Sequence, residues 1–546
     1  MSGAPDVIVV GAGPNGLVAA NLLADAGWHV LVLEAEDEPG GAVRSDRGVH
    51  PDYISDMFSA FYPLAVASPA LTGLDLERWG LTWSHAPAVL ANPLPDGRCA
   101  VLYRDQERTA ANLETFAPGD GEAYLRLLER WDRLDPDLLR ALLTPFPPVR
   151  PAAALLRRAR AAGGLRLLRT LTLSARRLGE EEFHGPGAPL LLTGSALHAD
   201  FFPESFGSGL FGWLLVMLGQ QHGWPVPVGG AGQLTAALVR RLEARGGTLR
   251  LGTPVAEVVV RDGRCLGVRT ADGEPLFAAR AVLADVPAPA LYGGLVGWDH
   301  LPARLRDDIR RFQWDHATLK VDWALSRPIP WASPEAAEGG TVHIADSVDH
   351  LTRHSADLTT GVLPEHPAAV LGQMTTADPT RSPAGTESAW AYVHVPRGIP
   401  AAVLRGTMAD RLEAAVERLA PGFRDTIRDR RVLAPTDLEA LDRGLVGGAL
   451  NGGTASPHQQ LFFRPVPGSG RPETPVAGLF LASSSAHPGG GVHGACGANA
   501  ARAALRSQWP VVRHLRRARA VRRTPPNPSD PSDPSERTRT WPSDQS

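Results

Sequence analysis

The first hydrophobic run, Val7-Ile8-Val9-Val10, is unbroken, as in a strand buried on both faces. The turn Gly11-Ala12-Gly13-Pro14-Asn15-Gly16 follows, and Leu17 to Ala26 then shows helical spacing. Gly27 stops that helix, and Trp28 to Leu33 forms a second apolar run closing on Glu34. The change of period from strand to helix and back predicts a parallel βαβ unit.

Further along, residues 70 to 225 read as helix-rich, with Leu/Arg stretches at Leu125–Leu143 and Leu155–Leu178. Thr248 to Leu283 reads as strand-rich, with Asp262-Gly263 and Asp272-Gly273 as hairpin turns. Residues 290 to 440 are mixed, and from Val476 another apolar strand leads through a Gly-rich turn into an Ala-rich helix. The expected fold is α/β (α+β overall): a Rossmann-like dinucleotide-binding domain with an inserted sheet-and-helix substrate domain. Its expected boundaries are 1–70, 225–290 and 430–510 for the cofactor domain, and 71–224 with 291–429 for the insertion. Pro-Ser-Asp repeats over 524–546 cannot bury a core and read as disordered.

Composition narrows the function classes. The chain has 546 residues, is 43% hydrophobic and carries a net charge of −3, which gives no general attraction for nucleic acid. Of its 55 basic residues only Lys320 is lysine, and it lies outside any G-x-x-x-x-G-K setting, so a P-loop ATPase is excluded. Cys99, Cys265 and Cys496 are dispersed and form no C-x-x-C, which excludes a dithiol reductase and fits a reducing, cytoplasmic setting. No signal-peptide pattern precedes Asp6, and the longest apolar run, Leu210–Leu218, is too short to span a membrane. No zinc or metalloprotease motif appears, so no metal is expected.

The glycine turn carries the clearest chemistry. Gly11 permits a tight turn, Gly13 lets backbone approach a pyrophosphate, and Gly16 lets the helix pack close to the sheet. The helix N-terminus offers N–H groups and a positive dipole end to phosphate. Glu34 is placed to accept from ribose hydroxyls and would repel a 2′-phosphate, which excludes NADP. A second Gly-rich turn, His487-Pro488-Gly489-Gly490-Gly491-Val492-His493-Gly494, opens the last helix. A long cofactor such as FAD needs such a second set of backbone amides at its far end.

These two ends, with Gly40-Gly41, Arg44, Ser45, the run Val228–Leu234 and Val255, resemble the FAD-dependent phytoene desaturase-related oxidoreductases. That family lies within the amine-oxidase and glutathione-reductase type flavoproteins and includes a branch labelled pyridine nucleotide-disulfide oxidoreductase domain proteins. The resemblance reaches to about residue 508. It implies FAD contacts at Gly11, Gly13, Pro14, Asn15, Gly16, Glu34, Gly40, Gly41, Arg44 and Ser45. It also implies adenine contact by the Val255 backbone, and pyrophosphate and flavin contacts at Ser483, Gly490, Gly491 and Val492. Many relatives carry Gly-Ala or Gly-Asp where this chain has Ala482-Ser483, so a hydroxyl replaces a carboxylate contact.

Three residues are candidates for catalysis. His487 and His493 bracket the second glycine turn and would act as base or polarise the flavin, or else fix the loop and cap the helix. Lys320, in the strand-like run Ala317–Leu325, parallels by analogy a lysine that holds water beside the flavin in amine oxidases. Tyr392 reads as packing, and His198 with Asp200 reads as loop structure. The Leu155–Leu178 segment, with seven arginines, suits either an anionic bilayer or a solvated helix face.

The expected function is FAD-dependent desaturation, or saturation, of a hydrophobic, polyene-like substrate. In the absence of a second nucleotide motif, oxygen, a quinone or another carrier would reoxidise the flavin. Amine oxidation is the alternative enzyme, and a flavin-binding regulator with little turnover is the alternative class.

Overall fold

The computed structural model describes residues 4–161 and 164–508. The 524–546 tail and the arginine run from Arg513 to Arg523 lie outside the described residues.

Strand β1 (Val7–Val10), helix α1 (Pro14–Asp25) and strand β2 (Val30–Leu33) form the expected βαβ unit. They sit in a five-stranded sheet ordered 479–481, 281–284, β1, β2, 248–250, with every pairing parallel. The alternation within β1 assigns its two faces. Val7 and Val9 pack with α1 and the helices Gly232–Ala244 and Ala495–Ser507. Ile8 and Val10 pack towards a three-stranded antiparallel sheet spanning Val255 to Phe277. Both hairpin turns of that small sheet fall at the expected Asp-Gly pairs.

A seven-stranded sheet is ordered 427–433, 317–325, 387–395, 369–373, 339–344, 88–93, 99–102. Its pairings are antiparallel except that between 339–344 and 88–93. The segment 70–225 is helical over most of its length, yet it contributes Ala88–Pro93 and Cys99–Leu102 to this sheet. Those strands are buried throughout, so they lack the polar-apolar alternation that marks a half-exposed strand. Helices Gly187–Leu197 and Ser208–His222 cover the sheet.

Glycine sets the closest helix contacts. A Cβ on Gly497 would lie 1.9 Å from the Asn15 carbonyl oxygen, and one on Gly212 would lie 2.2 Å from that of Leu192. The first contact presses the last helix against α1 where α1 begins. It therefore positions the phosphate-facing turn.

Candidate active site

A cavity of about 720 Å³ begins at the carboxyl ends of β1 and β2, lined by Val10, Gly11, Gly13, Leu33 and Glu34. That is where ligands sit on open parallel sheets. Gly11 has φ +95°, and a Cβ there would lie 2.7 Å from the Asp285 carbonyl oxygen. A Cβ on Gly16 would lie 2.2 Å from the Gly11 carbonyl oxygen. Positions 11 and 16 of the turn thus admit only glycine. Helix α1 has no side-chain cap, and Pro14 supplies no N–H at its first turn.

Glu34 closes β2 with its carboxylate turned back on the turn. It accepts from the Ala12 N–H at 2.7 Å and from the Glu36 N–H at 3.0 Å. It lines the cavity beside Glu36 and Val255, and each carboxylate oxygen keeps capacity to accept a further hydrogen bond. Asn15 also lines the cavity, and its Oδ1 is buried without a hydrogen-bond partner. Buried acceptors of this kind fit a cofactor bearing ribose or ribityl hydroxyls.

Pro14, Gly41 and Arg44 line the same wall. Arg44 donates to the Gly41 carbonyl at 2.9 Å and to that of Leu441, tying the two segments together. Ser483, Gly490, Gly491 and Val492 line the far wall. Three expected contacts shape the cavity from behind instead. The Gly16 N–H donates to Asp285 at 2.7 Å, and the Gly40 N–H donates to the Ala12 carbonyl at 2.9 Å. Ser45 donates to Asp56 at 2.7 Å and accepts from the Gly232 N–H.

Asp285 also lines the cavity, outside both glycine motifs. Burial pushes its carboxyl up to about 7, against the lowering effect of the Gly16 N–H. A polar residue directly after the buried strand Ala281–Ala284 was the signal available for it.

The other end of the cavity rests on the seven-stranded sheet. Lys320, Tyr392, Val370 and His343 are cross-strand neighbours in one row, and Asp322, Trp390, Gly372 and Thr341 form the next. A Cβ on Gly372 would lie 2.4 Å from the Trp390 ring, so glycine lets that indole lie flat on the sheet. Trp390 and Tyr392 stack with centroids 6.0 Å apart, and both line the cavity with Phe61, Phe211 and Leu215. Tyr392 is therefore a cavity wall rather than packing alone.

Lys320 lines the cavity and is anchored from behind. Its Nζ donates to the Asp56 carbonyl at 2.9 Å and pairs with Asp322, which also holds Arg431 at 3.0 Å. Burial lowers its affinity for a proton, and the Asp322 charge opposes that effect. An ammonium has three hydrogens, so one remains beyond these two contacts.

His487 and His493 do not line the cavity. His487 shares a hydrogen with the Thr144 carbonyl at 2.9 Å. His493 Nδ1 accepts from the Ala495 N–H at 3.0 Å and so caps the last helix. These positions match the loop-fixing and helix-capping alternative. His198 lies in the turn after helix Gly187–Leu197, as the loop reading has it, but it also lines the cavity and meets His343 at 2.8 Å. Its partner comes from a strand 145 residues away, so no local pattern could show the pair.

Comparisons with known proteins agree with this architecture. Pyridine nucleotide-disulfide oxidoreductase domain-containing protein 2 of Mus musculus is 30% identical, with 92% of this chain and 93% of that protein covered. A phytoene desaturase (neurosporene-forming) of Rhodobacter capsulatus is 25% identical, with 89% and 90% covered. The solved structure of an oxidoreductase from Methanosarcina mazei shares the fold at a TM-score of 0.60 and 15% identity, covering 92% of this chain and 99% of that one. The profile for flavin containing amine oxidoreductases matches residues 15–505. With a cavity that joins a dinucleotide turn to a second glycine loop, the chain belongs to the flavin-containing amine oxidoreductase family and is an FAD-dependent oxidoreductase.

Proposed function

We propose that the protein dehydrogenates a carbon–carbon bond of a neutral, hydrophobic substrate. One observation carries the reading. Beyond the cofactor end, the cavity is walled by Phe61, Phe211, Leu214, Leu215, Trp224 and Trp390, and its cation Lys320 is already paired with Asp322. A substrate ammonium would meet no unpaired carboxylate among the described residues of that wall, so it would lose hydration without gaining a counter-charge.

Desaturation removes a hydride and a proton from adjacent carbons and leaves a double bond. Bound FAD supplies the two-electron acceptor. The apolar wall excludes water and holds the chain of the substrate. Lys320 lines this end of the cavity with one N–H beyond its two contacts, and that hydrogen could position a water or a substrate atom. Oxygen, a quinone or another carrier would then take up the two electrons together with the two protons, as hydrogen peroxide or a quinol, which balances the cycle. The phytoene desaturase relative supports this choice over amine oxidation.

Anaerobic mixing of the holoprotein with a panel of polyenes and a matched panel of primary amines tests the reading. Bleaching by polyenes alone is expected, with slower bleaching in Lys320→Met. Bleaching by amines alone would overturn it.

A further inference from the structure

His198, just after helix Gly187–Leu197, and Thr341, on the seven-stranded sheet, are polar groups on the largely aromatic and aliphatic substrate end of the cavity. Thr341 is fully buried and lines the cavity, and its Oγ1 has no hydrogen-bond partner. His343 lies two residues along the same strand, so both side chains point to the same face. Its Nε2 meets His198 Nε2 at 2.8 Å, so one hydrogen serves both rings.

The surroundings fix which ring donates. His343 Nδ1 is buried without a partner and faces helix residue Gly194, where a Cβ would lie only 2.2 Å away. A helix methylene accepts no hydrogen bond, and buried N–H groups without acceptors are rarer than unmet acceptors. The hydrogen of neutral His343 therefore sits on Nε2 and is donated to His198. Neutral His198 then carries its own hydrogen on Nδ1, the nitrogen that His343 leaves free. Burial keeps both rings neutral, since the proton affinity of each is lowered by desolvation. Among the described residues no group of three or more His, Cys, Asp or Glu is arranged to hold a metal ion.

We propose that the substrate carries a neutral oxygen function, a hydroxyl or a carbonyl, which lies against His198 and Thr341. The imidazole N–H would donate to that oxygen, and the Thr341 hydroxyl would donate or accept beside it. A pure hydrocarbon would leave both groups buried and unmet, a penalty that makes such sites selective against it. This inference rests on the proposed function, because it assumes that the apolar cavity is the substrate site.

Farnesol and farnesene share a carbon skeleton and differ in the hydroxyl, so they serve as probes. Each is titrated into oxidised holoprotein, with the visible flavin spectrum as readout. Farnesol is expected to bind at least about tenfold more tightly. Thr341→Val and His198→Phe should each bring the two affinities close together, while Thr341→Ser keeps the preference. Equal binding in the unaltered protein, a preference untouched by T341V and H198F, or no binding by either probe overturns the inference. Absence of flavin is seen before any probe is added and overturns the functional reading instead. A farnesol preference in a protein whose flavin no substrate reduces overturns the functional reading while sustaining the polar contact.

Discussion

Glu34 shows how one carboxylate serves both the fold and the ligand site. It accepts two backbone N–H groups that hold the glycine turn, and it faces the cavity where the adenosine half of FAD belongs. Hydrogen bonds to charged groups are worth about 1.5–3 kcal/mol. Glu34→Ala should therefore weaken FAD binding by roughly tenfold or more, read as the flavin-to-protein ratio after gel filtration. His487 makes a separate prediction about acidity. Burial pushes its imidazole down to about 4, so between about 6.5 and 4 the unfolded chain binds a proton that the folded chain does not. Its share of stability is complete above about 6.5 and is lost as pH falls towards 4. His487→Gln removes that titration, so its Tm should fall less steeply than that of the unaltered protein between those pH values. An unchanged slope in differential scanning fluorimetry would contradict this.

Helix packing places the cofactor turn, and Gly497 is where that packing is tightest. A Cβ there would strike the Asn15 backbone at 1.9 Å, which no side-chain rotation relieves. Overpacking of this kind costs about 1–3 kcal/mol or more. Gly497→Ala should lower Tm and FAD retention together, because the displaced backbone belongs to the first turn of α1. Gly406→Ala is the control: nothing lies within 4 Å of its added Cβ, so Tm should hold. The β1–α1–β2 unit was legible in the sequence because all its signals are local: an unbroken strand, spaced glycines and a closing Glu34. The sheet under the substrate end was only partly legible. Ala317–Leu325 read as a strand, but the neighbours of Lys320 depend on register with Glu387–Val395. His198 and Thr341, 143 residues apart in the chain, line one cavity only because helix and sheet pack together. No periodicity within either segment reports that.

At the scale of the molecule, the arginine-rich stretch presents more apolar surface than a solvated helix needs. Leu156, Leu165 and Leu168 are half or more exposed, although Leu167 is buried. Arg169 and Arg177 pair with Glu181, and Arg158 pairs with Asp137. Exposed leucines beside arginines would suit the surface of an anionic bilayer, where a hydrophobic substrate concentrates. Among the described residues no helix is long and apolar enough to cross a membrane. The protein should therefore co-sediment with phosphatidylglycerol vesicles more than with phosphatidylcholine vesicles, and Leu165→Ser with Leu168→Ser should reduce the difference. Equal sedimentation with both would favour the solvated-face alternative.

The central claim is that bound FAD takes electrons from a neutral hydrophobic molecule in the cavity that joins the two glycine loops. The most direct test is the visible spectrum of the purified holoprotein during anaerobic titration with a polyene panel. The account predicts an oxidised FAD spectrum that bleaches on titration and returns when oxygen or a quinone is admitted. A chain that holds no FAD after reconstitution, or FAD that no member of the panel reduces, would contradict it.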